Sequence, residues 1–152
     1  MSDQSKATYE DTNLILRLYE LRREAKLREA RVWFMSQFRP QTIDDFVAVM
    51  MPDHPQNAFF RMVVTYWDMA ASFAVRGPLE AGLLLESGGE LIAVWSLVEP
   101  FIAEFRERAK LPEYLRNLEE IIQQVEWAPR RVEWIKARLA ARPSGDDSPQ
   151  SR

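Results

Sequence analysis

The sequence predicts an all-α protein, a bundle of about five to seven helices with a long first helix and one helix carrying an internal proline. Apolar residues recur at steps of three and four through most of the chain. No stretch sustains the two-residue alternation of a half-buried strand. Most prolines and a Gly-Gly pair fall between the periodic runs, Pro100 being the exception.

From Thr8 to Phe38 the chain reads as one helix, its stripe made of Leu14, Leu18, Leu21, Ala25, Val32 and Met35, with Arg28 in the one gap. Thr8 with Asp11, or Asp11 or Thr12 alone, supplies an N-cap, and Arg39-Pro40 ends the run. A second helix from Thr42 to about Met51 opens on a capping box of Thr42 and Asp45 and stops at Pro52. Its buried side is Ile43, Phe46, Val47 and Met50. A third, from about Asn57 to Arg76, is apolar except for a stripe of Arg61, Thr65, Asp68, Ser72 and Arg76, so it is the expected central helix.

Gly77-Pro78 breaks the chain, and Pro78 is placed to begin a short helix through Glu86. After the Ser87-Gly88-Gly89 turn comes a long helix from Glu90 to Lys110, in which Pro100 removes a donor from the Ser96 carbonyl and predicts a kink. Leu111-Pro112 ends it. Two further helices follow, Glu113 to Trp127 and Arg130 to Arg142. The expected organisation is therefore a disordered start over 1–7, one helical domain over 8–142 and a disordered tail over 143–152.

Composition removes several chemistries. The 152 residues include no cysteine and one histidine, which excludes disulfides and thiolate metal sites and leaves most imidazole-based triads without a second member. His54, between Asp53 and Pro55, reads as an ordinary loop residue. The formal net charge of -3 argues against a general nucleic-acid binder. No apolar run is long enough to span a bilayer and no secretory leader is recognisable, so the expectation is a cytoplasmic protein with at most peripheral membrane contact. No metal or cofactor is called for.

An Arg-Gly step ending a helix, then Leu79, an acidic-Gly pair, the pattern Ile92, Trp95, Leu97, Pro100, Ile102 and Arg106, and finally Pro112, Glu113 and Tyr114 together resemble a family of small all-helical bacterial proteins classed as a domain of unknown function. The resemblance covers Tyr66 to Leu118. It implies helical structure and no assigned activity. Such proteins often carry a hydrophobic N-terminal anchor; none is read in these residues, so a membrane-anchored role is not expected.

Two polar features stand out as candidate sites. Arg61, Trp67 and Asp68, with Trp95, could face a pocket for a small polar ligand, the plainer alternative being a solvent-facing strip on an amphipathic helix. The last helix has five cations against one anion, with Val132, Ile135 and Leu139 on one face. Trp127, Arg130, Arg131, Trp134, Lys136 and Arg138 would then present a partner-binding or anionic-surface-binding face, or simply leave arginines in water beyond a packed face.

Charge is also uneven along the chain. Ten acidic residues lie between Glu80 and Glu126, whereas Leu14 to Val32 is net basic. A continuous first helix of about 45 Å would exceed what a small bundle needs. It suggests an antiparallel homodimer seam, in which Arg28 would have to meet a carboxylate. The leading functional expectation is a non-enzymatic protein-interaction module. The alternatives are a ligand-binding or enzymatic bundle and a peripheral anionic-surface binder.

Overall fold

A computed structural model describes residues 6–141, and among these residues there are eight α-helices and no strand. They are α1 (Tyr9–Arg22), α2 (Ala25–Gln37), α3 (Ile43–Met50), α4 (Asn57–Val75), α5 (Ala81–Ser87), α6 (Glu90–Ala109), α7 (Arg116–Gln124) and α8 (Ala128–Ala141). The all-helical class is as expected; the count exceeds five to seven because the long first helix is two. Of the segments expected to be disordered, 1–5 and 143–152 lie outside the described residues.

The break between α1 and α2 has a geometric cause. Leu18 and Leu27 are nine residues apart, about 180° around a continuous helix, so one unbroken rod could not bury both. Both are buried here, with Ala30, Trp33 and Phe34, while Leu21 and Val32 of the expected stripe are 55% and 64% exposed. Glu24 sits at the joint and caps α2 by accepting from the backbone N–H groups of Lys26 and Leu27, at 3.0 and 2.9 Å. These bonds hold its carboxyl below the ordinary range. Arg28, expected inside a seam, is exposed. The continuous helix from which a dimer seam was read is therefore not formed.

Thr8 caps α1 and Thr42 caps α3, each in a reciprocal capping box with the acid three residues on. α4 is the central helix, with nine buried residues, and α2 and α7 make its largest contacts. An aromatic cluster knits its N-terminal half to α2, α3 and α6. Phe34 stacks on Phe38 at 4.6 Å, Phe38 tilts over Phe60 at 5.3 Å, and Phe46 meets Phe60 and Phe105 edge-on.

α5 does not begin at Pro78. Leu79 is buried and its N–H donates to the Phe73 carbonyl, which holds the chain outside a helix until Glu80 caps the first turn. The Glu80 N–H donates to Asp11 at 3.0 Å, which ties α5 to α1. α6 runs through Pro100, which is exposed, without a break. Beyond it, Lys110 and Leu115 adopt left-handed backbone, so α7 starts at Arg116 rather than Glu113. Arg106 fastens that turn by donating to the Tyr114 carbonyl and to Glu119, both at 2.9 Å. α8 starts two residues earlier than expected, with Pro129 in its first turn, where a missing N–H costs nothing.

Candidate functional site

The sequence of α8 divides around the helix into three strips. At about 100° per residue, Ala128, Val132, Ile135 and Leu139 fall together. They form the packed side, with Ala128 and Val132 buried and Ile135 and Leu139 half-buried against the core. On one flank Trp127, Arg130, Arg131, Trp134 and Arg138 share a second strip. Lys136 lies about 200° beyond Trp134 and so emerges on the opposite flank.

The two flanks differ in electrostatics. Lys136 is neutralised by Glu99 of α6 and lies 3.5 Å from Glu133. Arg130, Arg131 and Arg138 are exposed and make no ion pair among the described residues. Two of them instead bracket Trp134, with the Arg138 guanidinium 4.7 Å and the Arg131 guanidinium 5.6 Å from its ring centre. Trp134 remains 54% exposed. Stacking of this kind keeps an indole and two cations together at the surface without neutralising either charge.

Beside this strip lies a groove of about 350 Å³ between α8 and the α5–α6 joint, lined by Leu85, Glu86, Gly89, Ile92, Trp127, Arg131 and Ile135. Trp127 and Arg131 belong to both the groove and an open cleft completed by Arg130 and Trp134. Of the six residues predicted for this face, four therefore adjoin directly and Arg138 joins through Trp134. Lys136 departs, because it lines a different cleft with Trp95, Glu99 and Glu119.

The other predicted group does not converge. Asp68 is half-buried and both of its carboxylate oxygens are engaged: one accepts from Asn117 Nδ2 at 3.0 Å and the other from the Leu118 N–H at 3.2 Å. It caps the start of α7 from α4, where Leu115 offers no side-chain acceptor. Burial first, and the Asp68 carboxylate second, push the neighbouring Tyr114 hydroxyl above its usual range. Arg61 is exposed. Trp67 is fully buried, its Nε1 donates to Glu90 at 3.1 Å, and Gly88 packs so close to its ring that a Cβ there would sit 3.0 Å away. Trp95 is buried along a separate cleft. His54 accepts from the Gln56 N–H at 3.0 Å and so closes its own turn.

Sequence reading missed one network at the α1–α2 joint. Arg31 forms a two-pronged pair with Glu90, both bonds at 2.8 Å, and donates from its third nitrogen to the Arg22 carbonyl at 3.0 Å. Hydrogen bonding to Glu90 raises the Arg31 pKa. Arg22 stacks on Tyr19 and Trp67 at 5.0 and 5.4 Å. Arg31 and Glu90 are 59 residues apart, so no local spacing could reveal the pair.

Among the described residues no single helix is long and apolar enough to cross a membrane. The α5–α6 pair reaches that length only across a 94° bend. No curated protein and no solved structure matches the chain. A family model described as a domain of unknown function, DUF4760, matches residues 7–127, a span that takes in α1 to α7 and stops just short of α8. The resemblance read between Tyr66 and Leu118 thus extends over most of the bundle, and the chain belongs to the DUF4760 family of domains of unknown function.

Proposed function

We propose that the chain is a non-enzymatic protein-interaction module, with α8 as its docking helix. The observation that carries this reading is the exposed strip of three arginines without an ion pair among the described residues and one exposed tryptophan, beside a partly apolar groove. Tryptophan and arginine in such settings commonly dominate binding energy. A peripheral membrane role is less well supported. The apolar face that an amphipathic helix would insert into lipid is already packed on the bundle, leaving only Trp134 to penetrate. A cytoplasmic location fits a module of this kind.

Peptide display tests the reading. Peptides would be selected on the wild type and then scored on a variant with Arg130→Glu, Arg131→Glu and Arg138→Glu. The expected result is enrichment of peptides whose binding the triple variant loses. Enrichment that ignores the substitutions would sink α8 as the docking helix.

A second copy of the chain is a further reading, on a different surface. Tyr9, Leu16 and Tyr19 of α1, seven and three residues apart, are 77%, 55% and 47% exposed along one strip. Sedimentation equilibrium at high protein concentration decides it. A dimer that Leu16→Glu dissolves is expected, and a wild-type monomer rejects it.

A further inference from the structure

We propose that the α8 groove takes an acidic peptide segment of a partner protein, held by one apolar side chain in the groove and by carboxylates on the neighbouring arginines. This deepens the docking-helix reading and rests on it. The first argument is charge complementarity. Arg130, Arg131 and Arg138 make no ion pair among the described residues, whereas the one lysine of α8 is neutralised by Glu99. Arg131 and Arg138 are seven residues apart, about 10 Å along the helix. An extended peptide covers that distance in about three residues, so acids at that spacing reach both cations.

The second argument is the composition of the groove. Trp127 and Ile135, both half-buried, supply most of its apolar surface, since Leu85 and Ile92 on the lining are almost fully buried, and Trp127 and Arg131 are shared with the cleft on the cationic strip. An apolar side chain buried here would place the residues beside it at the guanidinium groups. Glu86, also on the lining, repels acids and so assigns them to the Arg131 side. The lining leaves space at Gly89, where an added Cβ would meet nothing within 4 Å. A bilayer cannot use a concave feature of this kind, because its fit requires one side chain to enter rather than a flat apolar face to immerse.

Gly89 also provides a clean test. Its backbone is right-handed helical and it lies on the lining, so Gly89→Leu adds bulk at the groove without backbone strain and leaves the arginines in place. Fluorescence anisotropy would follow a fluorescein-labelled peptide with a central leucine flanked by glutamates, beside the same peptide with serine at the centre. Wild type should bind the leucine peptide about tenfold more tightly, the scale of burying one such side chain. Gly89→Leu should erase that preference but retain binding of the serine peptide. Arg130→Glu with Arg131→Glu and Arg138→Glu should abolish both, with circular dichroism confirming the fold of each variant.

Equal affinity for the two peptides would overturn the groove as the anchor site. Stronger sedimentation with phosphatidylglycerol vesicles than with phosphatidylcholine vesicles, without peptide binding, would overturn the peptide in favour of lipid. If neither peptide binds while displayed peptides still depend on α8, the acidic partner is wrong and the docking helix stands. If α8-dependent binding is missing from both experiments, the docking helix falls as well.

Discussion

Arginine does different work in the two parts of this molecule. Within the family-matched bundle, Arg31 and Arg106 reach across helices to carboxylates and carbonyls, and each fastens a place where the chain changes direction. On α8, beyond that match, Arg131 and Arg138 both stack on an exposed indole and Arg130 is exposed. The residue type is the same, but burial and the presence of a partner decide whether it is a fastener or a free charge. An unneutralised cation held in place contributes little to folding and is available for recognition.

Removing α8 altogether should have the largest effect on this comparison. Truncation after Trp127 strips Val132, Ile135 and Leu139 from the core and should cost about 4 kcal/mol in urea unfolding, by the apolar surface uncovered. A truncated chain as stable as the full one would mean that α8 is an appendage and not a packed helix. Next, Glu90→Ala leaves Arg31 without its carboxylate and the buried Trp67 N–H without an acceptor. A loss of roughly 3 kcal/mol is expected, since both side chains of the pair are about four-fifths buried. Near-wild-type stability would reassign Arg31 to the free class.

Asp68→Ala removes an external cap and should cost about 1 kcal/mol in the same assay. No loss would return Asp68 to the pool of candidate ligand contacts. Smallest of all, alanine at Arg130, Arg131 and Arg138 should each change stability by less than about 0.5 kcal/mol. A large loss there would show that these arginines hold the fold after all.

Acid sharpens the contrast from the carboxylate side. Asp11, Glu24 and Asp45 are held below their ordinary pKa values, chiefly by backbone N–H groups, those of Thr8, Lys26 and Gln41 being the largest causes. A depressed folded-state pKa means that the unfolded chain binds more protons through that window. Their stabilisation is complete above about pH 4.5 and is lost as pH falls through the folded values. Melting temperature should therefore drop below about pH 4, and Asp11→Asn should flatten part of that slope. An unchanged acid profile in the variant would remove Asp11 from the account.

Much of the bundle was legible because it is written locally. The capping box at Thr42, the stop at Pro52 and the apolar run of α4 are all recorded within a few residues, as is a cap near Thr8, where the structure selects Thr8 with Asp11 from the residues that could supply it. The misread elements depend on distant partners. The α1–α2 break answers to the need to bury both Leu18 and Leu27, and the late start of α5 answers to Leu79 in the core and Asp11 on α1. The same division holds at the candidate sites. The α8 face could be read because its members lie on or beside one helix; helical angle already sets Lys136 on the other flank, and only the structure shows that Glu99 neutralises it there. The Arg61 and Asp68 group was read from a stripe, whereas the Asn117 and Leu118 partners of Asp68 lie about 50 residues away.

By itself, then, the sequence determined the all-helical class, the chemistries excluded by having no cysteine and one histidine, and the concentration of cations on the last helix. Only the tertiary structure decided which charges are neutralised, where the first helix breaks and that a groove opens beside Arg131. The physical reason is range: periodicity and capping act within one or two turns, whereas desolvation, ion pairing and concavity exist only once distant segments are packed together.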